Sequence, residues 1–244
     1  MPNKFLAAVL VAAIPMVAGA ADVTVSAAAS LTNAFKALAQ SFEAAHPGNR
    51  VLLNFAASDP LVQQIAKGAP VDVFASADQE AMDKAENQKL LASGTRRDFA
   101  SNTVVLVVPL NSRIASLADL AGARRLTTGN PASVPIGRYT KEALTKANLW
   151  QGLEAKFVFA TSVRQSLDYV ARGEVDAGFV YATDVLAQKD KVKAVATIPT
   201  ATPVRYPIAV VANAPQPALA RQFAGYVASG TGQAILAKHG FGKP

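Results

Sequence analysis

The chain has 244 residues, 51% of them hydrophobic, which is enough for one large domain or two modest lobes. Its formal charge is +7, but the densest basic groups, Arg96-Arg97, Arg124-Arg125 and Lys189 to Lys193, have no interleaved aromatics, which argues against nucleic acid as a partner. Cysteine is absent, which excludes a disulfide framework, a thiolate metal site and a cysteine nucleophile.

At the start of the chain, Lys4 precedes an apolar run over 5–17, and Ala18-Gly19-Ala20 supplies a small-x-small cleavage pattern. Residues 1–20 therefore read as a secretory signal peptide cut before Ala21, which predicts a periplasmic protein. The run is too short for a membrane span.

Strand patterns follow at 23–27, 51–56, 71–76, 103–108, 125–128, 156–160, 176–181, 192–198 and 205–212. Helix patterns lie near 31–45, 60–67, 78–86, 137–147, 163–172, 216–228 and 230–238. The alternation predicts an α/β fold with mostly parallel sheets flanked by helices. The strands at 103–108 and 205–211 are long and apolar, and they are separated by about the size of a small α/β lobe. Read as crossovers at a hinge, they predict one lobe from 21–103 plus 209–244, a second from 104–208, and a cleft between them.

The first strand runs straight into a helix pattern through Ala27-Ala28-Ala29-Ser30-Leu31. Ser30 stands where an N-cap is expected. The first N–H groups of a helix lack internal partners and carry the positive end of its dipole, so such a turn outlines an anion site. Similar stretches recur around Ser58, across Asn130 to Tyr139, at the Ser162–Gln165 capping box and at Tyr181. Each alone is a common cap or turn. Together, at the carboxyl ends of strands, they would hold a ligand with neutral dipoles.

Catalytic patterns are missing. The two histidines lie far apart, His46 in a turn before Pro47-Gly48 and His239 at a helix end before Gly240, and no phosphate loop, dinucleotide fingerprint or nucleophile elbow occurs. Asp72, Asp78, Asp176 and Asp184, near strand ends, read as caps and turn residues, and Trp150 and Phe157 to Phe159 read as packing.

The ordered set of motifs resembles the periplasmic molybdate-binding proteins, receptors of ATP-driven oxyanion importers. The resemblance rests on Ala28-Ala29-Ser30-Leu31-Thr32, Phe55-Ala56-Ala57-Ser58, Gln64-Ile65 and the run from Gly68 to Asp78. It continues through Ser101-Asn102-Thr103-Val104, Gly129-Asn130-Pro131 with Val134 to Tyr139, Ser162-Val163-Arg164, Gly178 to Asp184 and Tyr206-Pro207-Ile208. It spans almost the whole chain after residue 20. What it implies is a two-lobed type II periplasmic binding protein with no enzymatic activity and no cofactor, expected as a monomer. Its ligand is molybdate or tungstate, and its partner is the membrane permease of an ABC importer. The implied ligand shell is Ser30, Ser58, Ile136, Val163 and Tyr181, with no direct metal-ion ligands. Ile136 replaces the Ala usual in that family, which a backbone donor tolerates if its side chain points away. Asp59 departs from the family pattern of Gly or Ser, and Pro60 after it predicts that Asp59 caps a helix and faces away from the cleft.

Three other functions compete on sequence. A receptor for phosphate or sulfate differs in that hydrogen phosphate rewards an acceptor in the site, whereas molybdate suits donors alone. An α/β enzyme lacks its catalytic set, and the effector lobe of a DNA-binding regulator lacks a helix-turn-helix segment.

Overall fold

A computed structural model describes residues 21–244, so the predicted signal peptide lies outside the described residues. Two five-stranded sheets form two lobes. The first contains β1 (Asp22–Ala28), β2 (Arg50–Ala56), β3 (Val73–Ala75), β4 (Arg97–Asn102) and β10 (Val204–Val210), in the order β2-β1-β3-β10-β4. The second contains β5 (Val104–Pro109), β6 (Leu126–Gly129), β7 (Phe157–Ala160), β8 (Ala177–Tyr181) and β9 (Val192–Ile198), in the order β7-β6-β8-β5-β9. In each sheet one strand opposes the other four: β10 runs antiparallel to β3 and β4, and β5 to β8 and β9.

Helices cover the sheets. They are α1 (Thr32–Ala45), α2 (Ser58–Ala66), α3 (Gln79–Asn87), α8 (Pro217–Ala228) and α9 (Gly230–Lys238) around the first sheet. Around the second are α4 (Pro135–Lys146), α5 (Trp150–Leu153), α6 (Val163–Ala171) and α7 (Ala182–Ala187). The helical spacing of Ala34, Phe35, Leu38 and Phe42 puts one buried stripe of α1 on the sheet. Phe42 meets Phe223 of α8 edge to face at 5.3 Å between ring centres. In the second lobe, Leu167 and Val170 of α6 are fully buried beside Leu106 and Phe179.

The chain changes lobe twice. The first crossing is the single residue Thr103, between β4 and β5. The second is the loop at 199–203, which begins and ends with proline. All of β10 pairs in the first sheet, from Val204 opposite Asn102 to Val210 opposite Val73, so the expected boundary after 208 falls inside a strand and moves back to 199–203. β4 was absent from the sequence-based expectation. Arg97-Asp98-Phe99-Ala100-Ser101-Asn102 has only two fully buried side chains, Phe99 and Ala100, and it lies at the sheet edge.

Candidate functional site

Six chain segments meet at one small cavity between the lobes, and five of them carry a residue expected in the site. Each arrives from the carboxyl end of a strand. Ser30 follows β1, Ser58 follows β2, Ile136 lies beyond β6, Val163 follows β7, and Tyr181 ends β8. All five line the cavity, with Ala28, Ala29, Ala57, Ala77, Val134 and Pro135 completing the wall. Among the described residues no charged side chain is in the lining. Two larger depressions, one at Arg113, Asp119 and Arg124 and one at Asp22, Arg50 and Asp72, are open surface features.

The local sequence explains each placement. Ser30 is not the expected cap. It sits in a 3-10 turn, Ala29–Leu31, that leads into α1, and neither this turn nor α1 has a side-chain cap. Its hydroxyl is free for another role and accepts the Tyr206 hydroxyl at 3.0 Å. Ser58 is the first residue of α2, and its Oγ accepts the Ala77 N–H at 3.1 Å. Pro135 opens α4, which removes one of that helix's free donors and leaves Ile136 as the first residue able to offer an N–H. Val163 opens α6 behind Ser162, whose Oγ accepts the Gln165 N–H at 3.2 Å. The capping box is completed one residue early: Gln165 Oε1 accepts from Thr161 N and Oγ1 at 2.6 and 2.9 Å.

Ile136 needs room for its extra carbons, and glycines supply it. Its side chain is fully buried in the core of the second lobe, against the open side of Gly129. A Cβ on Gly137 would overlap the Gly129 carbonyl oxygen, so the start of α4 lies directly on the end of β6. This close approach seats the start of α4 at the cavity wall, with the Ile136 side chain packed on Gly129.

The Tyr181 hydroxyl is buried and has no hydrogen-bond partner among the described residues. Its residue is 1% exposed. Burial raises its pKa well above the ordinary phenol value, so the group keeps its proton and remains a donor. An unpaired buried hydroxyl costs free energy unless something accepts from it.

The carboxylates lie behind this wall. Asp59 is the second residue of α2, with Ala57 at the N-cap, and it makes no capping bond. It turns away from the cavity as expected, but through ion pairs: Lys84 Nζ and Arg138 Nη2 are each 2.7 Å from its oxygens. Arg138, from α4 of the second lobe, also donates to Asp78 Oδ2 through Nε at 2.8 Å and Nη2 at 2.5 Å. Asp78 caps α3 by accepting the Ala81 N–H at 3.1 Å. Burial raises its pKa against the pull of the Arg138 guanidinium. The cluster bridges the lobes beside Ser58, Ala77 and Ile136. A second bridge is Arg164, 2.9 Å from Asp184 Oδ1 and within 3.4 Å of the Ser30 carbonyl. Burial lifts the Asp184 carboxyl to about 6, with Arg164 and the Tyr181 N–H pulling it down.

The other acidic residues singled out from sequence hold backbone. Asp72 accepts from Thr24 N and Gln216 N, and Asp176 from Arg124 N and Arg125 N. His46 and His239 end α1 and α9. Trp150 stacks on Phe157 at 5.3 Å. Sequence reasoning gave no role to Arg138, Tyr206 or Asn102. The signal available was an Arg two residues past Ile136 and polar groups beside the lobe crossings.

Residues 23–242 match the family model described as bacterial extracellular solute-binding protein. The molybdate-binding protein ModA of Escherichia coli (strain K12) is 38% identical over 230 residues, covering 90% of this chain and 88% of that protein. A putative ABC transporter substrate-binding lipoprotein, YvgL of Bacillus subtilis (strain 168), is 37% identical over 222 residues, covering 89% and 85%. Among solved structures, the Azotobacter vinelandii periplasmic molybdate-binding protein superposes with a TM-score of 0.81 at 26% identity, covering 91% of this chain and 99% of that one. The substrate-binding domain of a putative molybdenum ABC transporter from Clostridium difficile gives 0.71 at 34% identity, covering 92% and 99%.

Proposed function

The chain belongs to the family of bacterial extracellular solute-binding proteins, and we propose that it is the receptor that captures molybdate, and tungstate with it, between two lobes for delivery to the membrane permease of an ABC importer. The single observation that carries the reading is the buried Tyr181 hydroxyl, without a partner among the described residues, on the wall of a cavity where five other segments also meet. The similarity to molybdate-binding proteins over most of the chain supports the same ligand.

The ligand shell is Ser30 and Ser58 from the first lobe, with Ile136, Val163 and Tyr181 from the second. Hydroxyls and helix-start amides replace the hydration shell of a tetrahedral dianion. They are neutral dipoles already held in place, so closure requires little reorganisation of the donors. The Asp59 carboxylate is occupied by Lys84 and Arg138, which keeps its charge off the anion. The moving units are 22–102 with 204–242, and 104–198, hinged at Thr103 and 199–203. The protein works in the periplasm after loss of residues 1–20.

Isothermal titration of ligand-stripped protein with molybdate, tungstate, sulfate and phosphate tests the reading. One molybdate per chain, with tungstate competing for the same site, is the expected result. Absence of molybdate binding, or phosphate binding as tightly as molybdate, overturns it.

A further inference from the structure

The hydrogen-bond direction at Ser30 is set from outside the cavity. Asn102, the last residue of β4, accepts the Thr103 N–H on its Oδ1 at 2.9 Å. That bond fixes the amide orientation, because a backbone N–H needs the oxygen and not the NH2 group. Asn102 Nδ2 then points at Thr183 Oγ1 at 2.9 Å and at the Tyr206 hydroxyl at 3.2 Å. An amide NH2 can only donate, so the Tyr206 oxygen accepts. The single Tyr206 proton goes to Ser30 Oγ at 3.0 Å. Tyr206 is fully buried, and burial raises its pKa well above the ordinary phenol value, so this proton stays on. Ser30 Oγ therefore accepts from behind, and its own proton has no other acceptor among the described residues.

We infer that Tyr206 and Asn102 are positioning residues that hold the Ser30 hydroxyl as an obligate donor toward the bound oxyanion. This rests on the reading of Ser30 as a ligand contact. Ser58 is poled in the same sense, since the Ala77 N–H occupies its oxygen from behind. The relay starts at the crossing between lobes and includes Thr183 of the second lobe, so the polarity of one ligand contact is fixed by the hinge. Loss of the Tyr206 hydroxyl leaves the Ser30 hydroxyl free to rotate and to present a lone pair to the anion.

A double-mutant cycle in molybdate affinity separates this role from a structural one. Tyr206→Phe removes one hydroxyl and keeps the ring, which packs against Phe99, Tyr181 and Phe241. It is expected to weaken molybdate about tenfold in the otherwise wild-type protein, the size of one charge-assisted hydrogen bond, and less than about twofold in a Ser30→Ala background. Asn102→Leu is the second variant, because it keeps the side-chain size and adds no charge but cannot donate to Tyr206, and it is expected to repeat the pattern. The same fold-loss in both backgrounds, or no loss with Ser30 present, overturns the relay. No change in affinity on Ser30→Ala alone overturns instead the placing of Ser30 in the shell.

Discussion

Tyr181 contributes a hydroxyl whose bonding is incomplete without an acceptor in the cavity. Tyr181→Phe is expected to weaken molybdate binding by about 1.5–3 kcal/mol, the range for a hydrogen bond to a charged group. It should leave the apo protein as stable or slightly more so, because the orphaned hydroxyl is gone. Titration calorimetry with thermal unfolding of the ligand-free protein checks both; equal affinity would remove the phenol from the shell. Asp184 makes a pH prediction at the same scale. Its folded pKa of about 6 lies above the ordinary carboxyl value of 3.8. Between these values the native state holds a proton that the unfolded chain has released. This group's contribution is therefore fully present below about pH 4 and is lost as pH rises through 6, with a slope of up to about 1.4 kcal/mol per pH unit. In Asp184→Asn that fall is expected to vanish. Urea unfolding of both proteins at pH 4, 5, 6 and 7 reads the difference, and parallel curves would contradict the assignment.

At the scale of elements, the cavity is built by helix starts that the sequence made legible, since small residues, a hydroxyl and a helix pattern follow strand after strand. What was not legible was the partner of each polar group. Ser30 looks like a cap because capping is a local pattern, yet its hydroxyl meets Tyr206, 176 positions away. Asp59 looks like a cap because Pro60 follows it, but the helix starts two residues earlier, at Ser58, and the carboxylate meets Arg138, 79 positions on. Both outcomes depend on tertiary placement, which overrides a local rule when a buried donor offers a better bond. The Arg138 cluster is the clearest energetic link between α2, α3 and α4. Its arginine side chain is 15% exposed, and the carboxylates of Asp59 and Asp78 are 9% and 6% exposed, so solvent screens it weakly. In the proposed closure, opening the lobes would separate these charges into water, which would make the cluster part of the free-energy difference between the two states. Arg138→Ala leaves two carboxylates together beside Ser58 and is expected to weaken molybdate binding at least tenfold, about 1.4 kcal/mol or more. It should also raise the radius of gyration of the ligand-saturated protein in small-angle scattering. Wild-type affinity with an unchanged profile would show that closure does not use this bridge.

For the whole molecule, alternating strand and helix patterns pointed to parallel sheets flanked by helices, and two long apolar strands read as crossovers pointed to two lobes, while the places where the chain changes lobe were harder to see. The first crossing falls at Thr103, at the start of the apolar run 104–108. The second was misplaced because the equally apolar run 205–211 looks the same, although it belongs to the first sheet and is reached through 199–203. Hydrophobicity marks a buried central strand but not the sheet that buries it. β4 escaped notice for the converse reason, being polar enough to pass for a loop. The consequence of the true plan is that Asn102, Thr103 and Tyr206 sit together where the lobes meet, with Tyr206 one hydrogen bond from Ser30.

The central claim is that one tetrahedral oxyanion sits in the cavity between the lobes, held by Ser30, Ser58, Ile136, Val163 and Tyr181. Diffraction from crystals grown with molybdate, recorded on both sides of the molybdenum absorption edge, tests it most directly. The expected result is a single anomalous peak in the cavity, with the anion's oxygens at about 2.7–3.1 Å from the two serine hydroxyls, the Tyr181 hydroxyl and the Ile136 and Val163 amides. A peak at any other place on the protein, or an anion in the cavity that these five residues do not touch, would contradict it.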